Sequence, residues 1–121
     1  MSRRILVVED QEDNRRILRD LLSSAGYQVL EAVNGEDGVS LAERERPDLI
    51  LMDVQLPGID GLEATRRIKG TPALRAIPLI VVTSYALSGD DVKARAAGAD
   101  DYVTKPFSPR ALLGKVRQYL P

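Results

Sequence analysis

The chain has 121 residues, the size of one ordinary domain, with 44% hydrophobic and 29% charged residues; that balance suits a globular core that needs no covalent staples. The 17 basic and 18 acidic residues give a formal net charge of -1, which lacks the basic excess of a general nucleic-acid binder. With no cysteine and no histidine, the chain excludes disulfides, thiolate chemistry, imidazole metal ligands and an internal phosphohistidine.

Ile5–Val8 is wholly apolar and rich in β-branched residues, the pattern of a strand covered on both faces. From about Asp13 the period turns helical. Ile17, Leu18, Leu21, Leu22 and Ala25 share a predicted inner face, Arg15, Arg16, Arg19 and Asp20 a solvated one, and Gly26 marks the stop. Tyr27–Ala32 reads as a shorter, more exposed strand. Asn34 caps a predicted helix carrying Val39, Leu41 and Ala42, ended by Pro47. Asp48–Val54 is a second buried strand, with the turn Leu56-Pro57-Gly58 directly after it.

A third helix carries Leu62, Ala64 and Ile68 and stops near Gly70 and Pro72. Pro78–Thr83 is again a buried strand. Ser88 is the expected cap of a short helix running to Gly98, with Asp90 and Asp91 in its first turn. Asp101–Thr104 is a last short strand. Ser108-Pro109 opens a final helix bearing Leu112, Leu113, Val116 and Leu120. Five βα units with short connections predict one doubly wound α/β domain around a five-stranded parallel sheet, spanning 1–121 with no output domain. No apolar run is long enough to cross a membrane, and the first residues lack a secretory signal, so a cytoplasmic location is expected.

Polar side chains recur where the apolar runs end: Glu9 and Asp10 after ILVV, Asp53 after LILM, Thr83 after PLIVV, and Lys105 after YVT. Open α/β sheets collect ligands outside the carboxyl ends of their strands. Three acids, a hydroxyl and an ammonium there suit a divalent cation and a phosphoryl group. Mg²⁺ favours one or two carboxylates together with phosphate and water, and crowded carboxylates repel one another unless a cation joins them. Phosphoryl transfer needs positioning and charge neutralisation more than a general base, and aspartate is a known phosphoryl nucleophile. Asp53, after a buried strand and before a Pro-Gly turn, is the expected acceptor. A cis Lys105-Pro106 bond would be consistent with Lys105 turning back into that crevice.

These residues, together with Gly61, resemble the receiver domain of two-component response regulators along Ile5 to Leu120. The resemblance implies the flavodoxin-like strand order 2-1-3-4-5. It implies phosphorylation at Asp53, with Asp10, Asp53 and the Gln55 carbonyl holding Mg²⁺ and Glu9 helping through water. Thr83 and Lys105 would contact the phosphoryl oxygens, and Tyr102 would be the switch aromatic that turns inward with Thr83. The implied partners are a histidine kinase or histidine phosphotransfer protein and a downstream protein target, with neither nucleic acid nor membrane insertion, and with a monomer or weak dimer left open. In such domains the first helix commonly docks the phosphodonor, so Arg15, Arg16 and Arg19 are candidates to steer it.

The wording around Asp10 and Asp53 is similar to stand-alone receivers of the DivK type. A receiver excised from a larger response regulator or hybrid histidine kinase is the alternative. Ser84 departs from the alanine common at that position. Tyr85 and Gln55 flank the expected path of hydrolytic water. An aspartate phosphatase would want a second Asp where Gln55 stands, and a flavin module would want a glycine-containing loop in place of the acidic 9–13. The expected role is therefore a phosphoacceptor that assists its own phosphorylation, not a turnover enzyme.

Overall fold

The computed structural model describes residues 2–84 and 89–121. Strands β1 (Arg4–Val8), β2 (Gln28–Ala32), β3 (Leu49–Asp53), β4 (Leu79–Thr83) and β5 (Asp101–Thr104) alternate with helices α1 (Glu12–Ser24), α2 (Gly35–Glu45), α3 (Gly61–Lys69), α4 (Asp90–Ala96) and α5 (Pro109–Tyr119). The strands form one parallel sheet in the order β2-β1-β3-β4-β5. This is the expected doubly wound architecture.

Strand parity explains why the three inner strands, β1, β3 and β4, read as apolar runs. Leu6, Val8, Ile50, Met52, Leu79 and Val81 pack on one face with Ala42 of α2, Leu62, Ala64 and Ile68 of α3, and Ala94 of α4. Ile5, Val7, Leu49, Leu51, Ile80 and Val82 pack on the other with Leu18 and Leu22 of α1 and Leu112 and Val116 of α5. Successive side chains point to opposite faces, so a strand covered twice must be apolar at every position. Edge strand β2 is only partly buried along most of its length, which accounts for its weaker pattern.

The helix ends follow the local chemistry. Asn34 accepts the Asp37 N–H at 2.7 Å and Ser108 accepts the Ala111 N–H at 3.0 Å, as their side chains predict. Asp60, not anticipated, caps α3 by accepting the Glu63 N–H at 2.8 Å. Gly89, in the left-handed region at φ 84°, holds the cap position of α4; Ser88 lies outside the described residues. On α1, Leu18 and Leu22 face the sheet, but Ile17 is 56% exposed, contrary to the predicted inner face. Adjacent helical residues diverge by about 100°, so a stripe centred on Leu18 and Leu22 turns Ile17 aside.

One close approach couples fold to site. A Cβ on Gly61 would lie 1.8 Å from the Asp53 carbonyl oxygen, while the Gly61 N–H donates to the Val54 carbonyl at 2.8 Å. The start of α3 therefore presses on the end of β3, and only glycine fits. By contrast, Gly114 inside α5 has nothing within 4 Å of a built Cβ. Gly61→Ala should lose about 3 kcal/mol or more by overpacking, whereas Gly114→Ala should gain roughly 0.5–1 kcal/mol of helix propensity. Urea unfolding of the two variants checks the opposite signs.

Candidate functional site

Strand register brings the sequence-predicted residues to one edge of the sheet. Val8 pairs with Met52, so Glu9 and Asp53 are the next residues on adjacent strands. Asp53 pairs with Val82, which places Thr83 one step beyond it on β4. The Lys105 N–H donates to the Thr83 carbonyl at 2.7 Å, and this anchors the residue that follows β5. The Lys105-Pro106 bond is cis.

Carboxylate oxygens of Glu9, Asp10 and Asp53 all lie within 4.8 Å of one another. Lys105 Nζ reaches between two of them, 3.0 Å from Glu9 Oε1 and 3.4 Å from Asp53 Oδ2. Glu9 is 2% and Asp53 8% exposed, while Asp10 stands on the surface. Thr83 is fully buried. Gln55 is exposed, and its N–H faces Asp53 Oδ1 at 3.4 Å. The predicted acids and the amine are thus brought together, with Thr83 and Gln55 beside them.

Burial and neighbouring charges shift the three acids unequally. Burial pushes Glu9 up, but the Gln11 N–H and the Lys105 ammonium outweigh it and hold its pKa below the usual carboxylate value. Burial pushes Asp53 up to about 6, helped by the Glu9 charge and opposed by Lys105. Asp10 is raised by desolvation and by its neighbour Glu9. Burial lowers Lys105, yet Glu9 and Asp53 together carry its pKa above that of an ordinary lysine. Crowded oxygen donors with their repulsion only partly neutralised form a fitting site for a hard divalent cation.

The surroundings hold features that the sequence concealed. Exposed Ile17 lines a cleft of about 510 Å³ with Glu9, Asn14, Ser84, Lys105, Pro106 and Phe107. Apolar walls thus lead to the charged edge. Arg15 and Arg19 are not the freely solvated pair expected. Arg15 Nε lies 3.1 Å and Arg19 Nη1 3.2 Å from Glu31 Oε1 on β2. Arg16 meets Asp13 at 3.2 Å on the surface. Tyr102, half-buried on edge strand β5, carries the Arg95 guanidinium 5.7 Å from its ring centre. Tyr85 lies outside the described residues. No described helix is long and apolar enough to cross a membrane.

Residues 5–117 match the response regulator receiver domain family. The chain belongs to that family. It is 41% identical over 120 residues to the polar-differentiation response regulator DivK of Brucella anthropi, covering 99% of this chain and 98% of the relative. DivK of Brucella ovis is 39% identical over the same shares. Among solved structures, a putative response regulator from Chloroflexus aurantiacus superposes with TM-score 0.95 at 32% identity, covering 99% of this chain and 98% of that one. The receiver domain of a sensor histidine kinase from Pseudomonas aeruginosa, with a magnesium ion coordinated in its active-site cleft, superposes with TM-score 0.93 at 38% identity over the same shares. The two-component receiver expected from the sequence is therefore the family found, and the flavodoxin-like order of strands agrees with it.

The raised pKa of Asp53 makes stability pH-dependent in magnesium-free buffer. The folded chain holds that proton up to about pH 6, whereas an unfolded aspartate releases it near pH 4. Between these values the native state binds more protons, so stability falls as pH rises. Asp53→Asn should therefore gain on the parent chain by about 2–3 kcal/mol between pH 4 and pH 8. Urea unfolding across that range checks the trend, and a constant difference between the two proteins would refute it.

Proposed function

We propose that this receiver accepts a phosphoryl group on Asp53 from a phosphohistidine of a partner histidine kinase or histidine phosphotransfer protein. The observation that carries this reading is the Asp53 carboxylate, nearly buried, 3.4 Å from Lys105 Nζ and within 4.8 Å of oxygens from two further acids. An Asp53 oxygen attacks phosphorus, the bond from phosphorus to the donor imidazole nitrogen breaks, and the imidazole keeps the electron pair. Lys105 and the Thr83 hydroxyl donate to phosphoryl oxygens, taking up charge that the pocket otherwise repels. Glu9, Asp10, Asp53 and the Gln55 carbonyl are the groups that would hold Mg²⁺, which supplies neutralisation of the approaching anion.

The acyl phosphate then biases a two-state equilibrium through Thr83 and Tyr102, and the readout is a change in binding to a downstream protein. The chain turns over no external substrate on this reading. The donor docks at the cleft between α1 and the residues following β5, where Ile17 and Phe107 offer apolar contact.

Labelling with acetyl phosphate and with a phosphorylated histidine donor domain separates these claims. The parent chain should label at Asp53 only when Mg²⁺ is present, and Asp53→Asn should lose labelling from both donors. Ile17→Glu should keep acetyl-phosphate labelling while transfer from the protein donor falls about tenfold or more. Label retained by Asp53→Asn would contradict the acceptor, and equal loss from both donors in Ile17→Glu would contradict the docking site.

A further inference from the structure

Arg15 makes two contacts that together span the first loop of the site. Its Nη1 donates to the main-chain carbonyl of Glu9 at 3.1 Å, and its Nε donates to Glu31 Oε1 at 3.1 Å. Glu31 is held from a second side, because Arg19 Nη1 lies 3.2 Å from both of its carboxylate oxygens. The Arg15 side chain is only 16% exposed, so the pair is partly shielded from solvent. The Glu9 N–H is also tied to the same edge strand, donating to the Ala32 carbonyl at 3.0 Å. Both main-chain polar groups of Glu9 are thus fastened toward β2.

The Glu9 carbonyl belongs to the peptide plane that leads into Asp10. A peptide plane is rigid, so fixing that oxygen fixes the direction in which the chain leaves for Asp10. Glu9 needs little such help, since Lys105 and the Gln11 N–H already grip its carboxylate. Asp10 is the exposed member of the cluster, and it depends more on the backbone that carries it. We infer that Arg15 is a positioning residue for the cation site: held by Glu31, it orients the Glu9–Asp10 peptide so that the Asp10 carboxylate stays with those of Glu9 and Asp53.

This inference rests on the divalent-cation reading above and differs in sign from plain electrostatics. Removing a positive charge beside three acids should strengthen Mg²⁺ binding if charge alone mattered. Loss of an orienting contact should weaken it, and removing groups that orient metal ligands commonly costs ten- to a hundredfold in affinity. Arg16 provides the matched comparison: it lies on the same helix and carries the same charge, but pairs with exposed Asp13.

Titration calorimetry with MgCl₂ on the whole chain reads the difference without any phosphoryl donor. Arg15→Gln should raise the Mg²⁺ dissociation constant about tenfold, Arg15→Lys should also raise it despite keeping the charge, and Arg16→Gln should leave it within twofold. Glu31→Gln, which leaves Arg15 in place but loosens its hold, should give an intermediate increase. Circular dichroism confirms folding, and if Arg15→Gln fails to fold, Arg15→Lys and Glu31→Gln decide. An unchanged or tighter constant in the folded Arg15 variants, or in Glu31→Gln when it decides, overturns the inference while leaving the cation site intact. Failure of the parent chain to bind Mg²⁺ overturns both.

Discussion

The Lys105 ammonium lies between two nearly buried carboxylates, those of Glu9 and Asp53, with Asp10 alongside. One cation among three acids leaves the edge of the sheet short of positive charge, and partial burial weakens the screening that water would give. The shortage falls unequally. Glu9 also accepts the Gln11 N–H at 3.1 Å and stays ionised readily. Asp53 faces the Glu9 charge with less support, and its proton is held up to about pH 6. A pocket in that condition suits a divalent cation, and the proposed phosphoryl transfer builds on that fit.

Parallel topology is what creates the shortage. Strands β1, β3, β4 and β5 run the same way in register, so residues far apart in the chain leave the sheet at one edge. The two apolar layers hold those strands so firmly that the charged ends have little freedom to separate. Local features then fix the loops. Gly61 lets α3 approach the Asp53 carbonyl, and the Arg15–Glu31 pair secures the opposite side at Glu9. Each acts on the main chain that carries a carboxylate of the cluster.

The sequence disclosed the architecture and the central residues because both depend on short-range patterns. Two-faced burial forces continuous apolar runs in β1, β3 and β4, and the polar residue after each run marks the edge. Asn34 and Ser108 act as caps through contacts only three residues away. What stayed hidden depends on distance or on rotation about a helix axis. Arg15 looked solvated because Glu31, its partner, is 16 residues away on another element. Ile17 looked buried because an apolar stripe does not reveal where the sheet beneath it ends, and its exposure instead lines the cleft. Asp60 closely follows the Leu56-Pro57-Gly58 turn signal, which obscures the start of the helix that it caps.

The charge imbalance itself is open to direct measurement. Carbon-13 NMR of the labelled aspartate carboxyls, titrated with and without magnesium, reads the Asp53 proton at its own site. The expected midpoint lies near 6 in metal-free buffer and falls markedly once Mg²⁺ is added. A midpoint at the ordinary aspartate value, unmoved by the metal, would contradict that imbalance.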